Sequence, residues 1–155
     1  AGSTITLQAT NNITVSNAFN VATATGSANN SLVLQANNNI NINAAVTTTG
    51  TGSINLVADA DNSGTGTLAL NAGLVSAGGA IALSGASITG VAAGTINGGG
   101  GAISLNNSSA STISGGVSGA GGLTKTGTGV LTAGGVNNST PPNPMQTSTR
   151  APDPP

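Results

Sequence analysis

The chain has 155 residues, of which only Asp59, Asp61, Lys125, Arg150 and Asp153 carry charge, whereas globular domains carry about 25% charged residues. Two cations cannot build a groove for nucleic acid, and Phe19, the one aromatic side chain, leaves no platform for stacked bases or sugars. Gly and Asn interrupt every apolar run well short of the ~20 residues that a membrane helix needs, so no membrane insertion is expected.

The first predicted strand lies in "STITLQ", residues 3 to 8, with Ile5 and Leu7 on one face and Thr4 and Thr6 on the other. Successive side chains of a strand point to opposite faces, so this alternation marks a strand with one buried side. Ile13 and Val15 follow in "ATNNITV", eight residues beyond the first pair. The second unit, "SLVLQANNNINI", residues 31 to 42, repeats the pattern with Leu32, Leu34, Ile40 and Ile42. "ATNNITV" and "ANNNINI" are the same rung written twice. A third unit holds Ile54 and Leu56 and, after an insertion, Leu68 and Leu70. Further pairs stand at Ile81 and Leu83 and at Ile103 and Leu105, with a degenerate sixth near Leu123.

Successive starts are 27, 22, 27, 22 and 20 residues apart. That is one turn of a parallel β-helix, in which each coil lays two or three short strands on the coil below. Ile, Leu and Val then stack in interior columns, each burial contributing ~1.5 to 3 kcal/mol relative to exposure. Like charges repeated at one position would sit ~4.8 Å apart and repel, which accounts for their scarcity. Asn, Thr and Ser form ladders between coils instead, and Gly turns the corners. Helix is a poor competitor, since Gly, Asn, Thr and Ser are weak in helix interiors. A disordered low-complexity chain is the other competitor, and the regular Ile/Leu columns argue against it.

The insertion in the third unit, "DADNSG", places Asp59, Asp61, Ser63 and Gly64 as in the first half of a calcium loop. The twelfth position is Leu70, already assigned to the core, so the competing reading is a solvated polar loop and no metal or other cofactor is expected. Asp59 and Asp61, ~7 Å apart on one strand face, have the separation of an inverting carboxylate pair. No His, Glu, Tyr, Trp or Cys accompanies them, so no enzymatic activity is expected. Thr4 and Thr6, Thr23 and Thr25, and Thr47 and Thr49 offer pieces of a Thr-x-Thr ladder that could order water at an ice or carbohydrate surface. "LVSAGGA" breaks that ladder in the following coil.

Residues 137 to 155, "NNSTPPNPMQTSTRAPDPP", hold all six prolines and no strand pattern, so they read as an extended tail or linker after a solenoid domain spanning residues 1–136. Such a tail could pack along a coil or carry O-linked sugars. The absence of Cys excludes disulfide staples, and Ala rather than Met at the first position suggests a processed chain or an excerpt of a longer one.

"STITLQATNNITVSN" and "GAIALSGASITG" resemble the repeats of filamentous-haemagglutinin-type exoproteins, bacterial adhesins built as right-handed β-helices. "GGLTKTGTGVLTAGG", residues 121 to 135, resembles the autotransporter-associated β-strand repeat, with Ala133 where the pattern's last Leu would fall. Together the two resemblances span roughly residues 3 to 135. They imply an extracellular or cell-surface bacterial protein.

The expected fold is therefore all-β, a right-handed parallel β-helix of five to six coils. The expected function is structural: a building block of a surface adhesin or of a filament joined end to end, with a host-cell or matrix surface as a further partner. The alternative is a module that binds a ligand or an ice or carbohydrate surface. Both solenoid edges read as open, at Thr4, Ile5, Thr6 and Leu7 and at Val130 and Leu131, with Lys125 nearby.

Overall fold

A computed structural model of the chain describes residues 2–22, 26–135 and 137–139. These residues build a parallel β-helix of six coils. The first coil carries β1 (Thr4–Ala9), β2 (Ile13–Val15) and β3 (Phe19–Asn20), and the second β4 (Ser31–Ala36), β5 (Ile40–Ile42) and β6 (Val46–Thr48). The third carries β7 (Ile54–Val57), β8 (Thr67–Leu70) and β9 (Leu74–Ser76), and the fourth β10 (Ile81–Gly85), β11 (Ser87–Gly90) and β12 (Ile96–Asn97). The fifth holds β13 (Ile103–Asn107), β14 (Ser111–Ile113) and β15 (Val117–Gly119), and the sixth β16 (Leu123–Thr126), β17 (Leu131–Ala133) and β18 (Asn137–Ser139). Every third strand pairs in parallel, giving three six-stranded sheets that run the length of the solenoid. Pairing of β18 with β15 carries the last coil to Ser139, past the boundary expected at residue 136.

The register reproduces the sequence periodicity residue for residue. Ile5, Leu32, Ile54, Ile81, Ile103 and Leu123 form one interior column. Beside it run Leu7, Leu34, Leu56, Leu83 and Leu105, and the sixth place in that column is taken by Lys125. The second sheet contributes Ile13, Ile40, Leu68 and Ile88 and the third Phe19, Val46, Leu74, Ile96 and Val117 to one continuous core.

Hydrogen bonds alternate with the pleat. Ile54, Ile81 and Ile103 face inward and donate their N–H groups forward, to Ala80, Ala102 and Gly122 of the following coil, each at 2.9 Å. Ser31 faces outward and donates back to Ser3 at 2.8 Å. Neighbouring coils thus satisfy each other's backbone, which is why a chain with almost no charge can hold this fold.

Side-chain ladders add to the backbone ones outside the core. Gln8 donates to Gln35 at 2.6 Å, Asn71 to Asn43 at 2.8 Å and Ser53 to Ser31 at 3.0 Å. At the corner before the first sheet, Gly52, Gly79, Gly101 and Gly121 stack so closely that a Cβ on any of them would run into the backbone of the coil before. The buried hydroxyls of Thr48 and Ser76 line this corner, donating to Gly52 O at 2.6 Å and Gly79 O at 2.7 Å.

Candidate assembly ends of the solenoid

Among the described residues nothing covers the apolar columns at the amino end. Ile5, Ile13, Val15 and Phe19 are only half-buried, and Leu7 is 49% exposed, whereas Leu34, one coil further in, is 1% exposed. A cavity of about 270 Å³ opens among Leu7, Ile13, Val15, Phe19, Leu32 and Leu34. Thr4 and Thr6 lie outward on β1. By the alternation of the ladder, their N–H and C=O groups project away from the second coil, so the edge presents unpaired donors and acceptors beside an apolar cavity.

The carboxyl end differs. Leu123 and Leu131 are half-buried ends of their columns. Lys125, set beneath Leu105 in the leucine column, folds its amine onto the carbonyls at and just past the end of its strand, donating to Thr126 O and, at 2.9 Å, to Gly127 O. Partial burial lowers its pKa from the ordinary lysine value. Val130 is 72% exposed and outside the column. Its carbonyl faces the fifth coil, accepting from Ser111 N at 2.9 Å and Asn107 Nδ2 at 3.3 Å. Sequence reasoning put Val130 and Leu131 together at the edge; only Leu131 belongs to the apolar end.

Polar side chains also enter the interior of the fifth coil. Asn107 occupies the register position of Gly85, and its Nδ2 donates to Ser109 O at 2.7 Å. Its Oδ1 is the one buried side-chain polar atom without a hydrogen-bond partner among the described residues. Ser111 interrupts the column between Ile88 and Leu131, and its Oγ accepts the Ile88 N–H at 2.8 Å.

Asp59, Asp61 and Ser63 sit together in the loop between β7 and β8. Asp59 and Asn62 adopt left-handed backbone, with φ of 58° and 57°. The Asp59 carboxylate accepts from Ser63 Oγ at 2.8 Å and from Gly64 N at 3.0 Å, and Asp61 accepts from Ser63 N at 3.3 Å. Desolvation pulls the Asp59 pKa upward, but hydrogen bonds from the Ser63 hydroxyl and the amides of residues 63 to 65 outweigh it, and the net shift is downward. The loop's own donors thus hold the Asp59 carboxylate in place. Among the described residues no three His, Cys, Asp or Glu side chains gather as a metal site.

The Thr pairs do not stack. Thr4 pairs with Ser31 and Thr6 with Val33, while Thr47 lies between Asn20 and Val75. Thr23 and Thr25 lie outside the described residues. The register does align Thr89, Thr112 and Thr132 on the second sheet, one per coil. No described helix is long and apolar enough to cross a membrane. No family model, curated protein or solved structure matches the chain. The parallel strands stacked in three sheets are those of a β-helix, and this architecture is the class to which the chain is assigned.

Proposed function

We propose that the chain is a nonenzymatic structural protein, a β-solenoid building block of an extracellular adhesin or of a filament whose coils stack end to end. One observation supports this reading: the amino end combines an unpaired strand edge with an apolar cavity of about 270 Å³, which a further coil, of a second copy or of the same polypeptide, would cover. A coil with inward residues like those of the sixth would set Leu123 above Ile5 and Leu131 above Ile13. Its forward-pointing backbone groups would meet the backward-pointing ones of β1. Repulsion that would oppose stacking is small, because the formal net charge is −1. The resemblance to filamentous-haemagglutinin and autotransporter repeats supports an extracellular or cell-surface setting, where the outward Asn, Thr and Ser rows would face a host-cell or matrix surface.

Sedimentation velocity over a wide concentration range, with electron microscopy of the same samples, tests the reading. The expected result, in a series that spans pH as well as concentration, is reversible growth into rods that lengthen in steps of one solenoid. Leu7→Lys, which sets a charge in the cavity, should abolish it, as should a Lys at Thr4 combined with Thr6→Pro. Thr6 tolerates proline in the monomer because its N–H faces the open edge. A wild-type chain that stays monomeric at every concentration and pH, or whose association none of these changes alters, would sink the stacking reading.

A further inference from the structure

Lys125 stands where the interior of a solenoid least tolerates an ionised side chain. The column Leu7, Leu34, Leu56, Leu83 and Leu105 is apolar in every coil but the last. At the carboxyl edge the stem of Lys125 continues the column while its amine turns back onto Thr126 O and Gly127 O. Inward residues of other coils direct their backbone groups to the following coil. The amine is therefore held beside the edge to which a further coil would bond.

We infer that Lys125 is a charge stop: ionised, it ends the stack at the carboxyl side, and without its charge this end receives the amino end of a second copy of the chain. The inference rests on the end-stacking reading. A second copy is the fitting occupant because the two edges complement each other as adjacent coils do. Leu123 meets Ile5, Leu131 meets Ile13 and Ala133 meets Val15, leaving Lys125 against Leu7 as the conflict. In such a joint the amine would lie between Leu105 and Leu7, away from water, and an ionised amine there is strongly disfavoured.

Among the described residues no titratable group offsets it. The element packed against β16 is β13, Ile103–Asn107, which contains none, and the only other charged side chains among the described residues are Asp59 and Asp61 in the third coil. Burial already moves the Lys125 pKa down, and the joint would move it further. The sign follows: joining releases a proton, so the joint is weak at neutral pH and strengthens as pH rises toward the lysine range, about 10.4. The composition makes this limb easy to assign, because the chain has no His, Cys or Tyr. Only Lys125 and an α-amino group, at about 8, lose a proton between pH 7 and 11.

The test measures association of the full 155-residue chain by sedimentation at pH 7 and pH 10.5. Lys125→Leu should associate at pH 7 at roughly 100-fold lower concentration than wild type, because it removes the cost of burying an unpaired ammonium in the joint. Wild type should approach that variant at pH 10.5, and Lys125→Arg, which keeps its charge there, should not. Adding Leu7→Lys to Lys125→Leu should return the chain to monomer, separating joints from unspecific aggregation. Equal association of wild type and Lys125→Leu at pH 7 overturns the charge stop and leaves stacking standing. Absence of association in both, at both pH values, overturns stacking itself.

Discussion

Coils two to four and coils five to six share one register but are filled differently. In the former, Leu32, Leu34, Ile54, Leu56, Leu68, Leu70 and Ile81 are all buried, with no polar residue among the Leu and Ile of the first two sheets. In the latter, the first two sheets each lose an apolar member: Ser111 stands beneath Ile88 and Lys125 beneath Leu105. The backbone ladder continues unbroken through these places. Parallel stacking therefore fixes the path of the chain, whereas column composition fixes how much each coil contributes to holding it. Free energy in such an array is close to a sum over coils and their interfaces, so the middle should melt last and the carboxyl coils first.

The strongest way to break this contrast is a charge in the middle of the stack. Ile81 is fully buried between Ile54 and Ile103. Ile81→Asp should cost more than about 4 kcal/mol, an unpaired buried charge, and abolish the cooperative transition seen by far-ultraviolet circular dichroism in urea. Leu123→Asp, the same change at the half-buried end of that column, should leave most of the β-signal in place. Equal loss in the two variants would mean that the coils fold as one inseparable unit.

Ser111 gives a smaller and more local test. Its hydroxyl holds the buried N–H of Ile88, so Ser111→Ala should destabilise by about 1–3 kcal/mol, the cost of orphaning a buried donor. The urea midpoint should fall accordingly. An unchanged midpoint would show that Ile88 finds another acceptor. Asn107 is expected to be gentler still. Asn107→Ala removes bonds to Ser109 O and Val130 O, which keep Ser111 as donor, and also removes the one buried acceptor without a partner. The two effects oppose, each ~1 kcal/mol, and the midpoint should move little in either direction.

These polar intrusions also mark where the sequence stops being legible. The Ile/Leu pairs announce the first two sheets because each strand there has two inward residues, enough to display alternation. The third sheet does not: β3 and β12 are two residues long, with Phe19 and Ile96 as single inward side chains. Lys125 could be read only as a neighbour of the edge, since "LTK" breaks the apolar pair that would have placed it, and its seat in the leucine column comes from the register with Leu105. Asn107 looks like any turn residue until Gly85 is found at the matching corner. The Asp59 loop had the spacing of a calcium site, but spacing does not say that the loop's own Ser63 and Gly64 satisfy the carboxylate.

That loop supplies the smallest expected effect. Asp59 lies half-buried at the rim of the third coil, outside every column, so what happens to its charge should barely reach the core. Its pKa is lowered by donors that favour the carboxylate, against the upward pull of desolvation. A depressed carboxyl stabilises the fold at pH above its unfolded value, and this contribution is lost as pH falls through the folded value, below 3.8. The Gly64 amide, 3.0 Å from Asp59 Oδ1, is the local reporter. In two-dimensional NMR its shift should titrate with a midpoint below 3.8, while amides of β10 stay still. Asp59→Asn should remove that titration and change stability by no more than about 0.5 kcal/mol, because Asn tolerates the left-handed backbone and still offers an acceptor. Calcium should be silent as well. It takes six to eight oxygens, and the twelfth position of the loop is Leu70 of the core in place of a bidentate carboxylate, so chelator should leave the melting temperature unchanged. A midpoint at or above 3.8, or a melting temperature that falls by several degrees in chelator, would make the loop a functional site and end its description as a self-satisfied insertion.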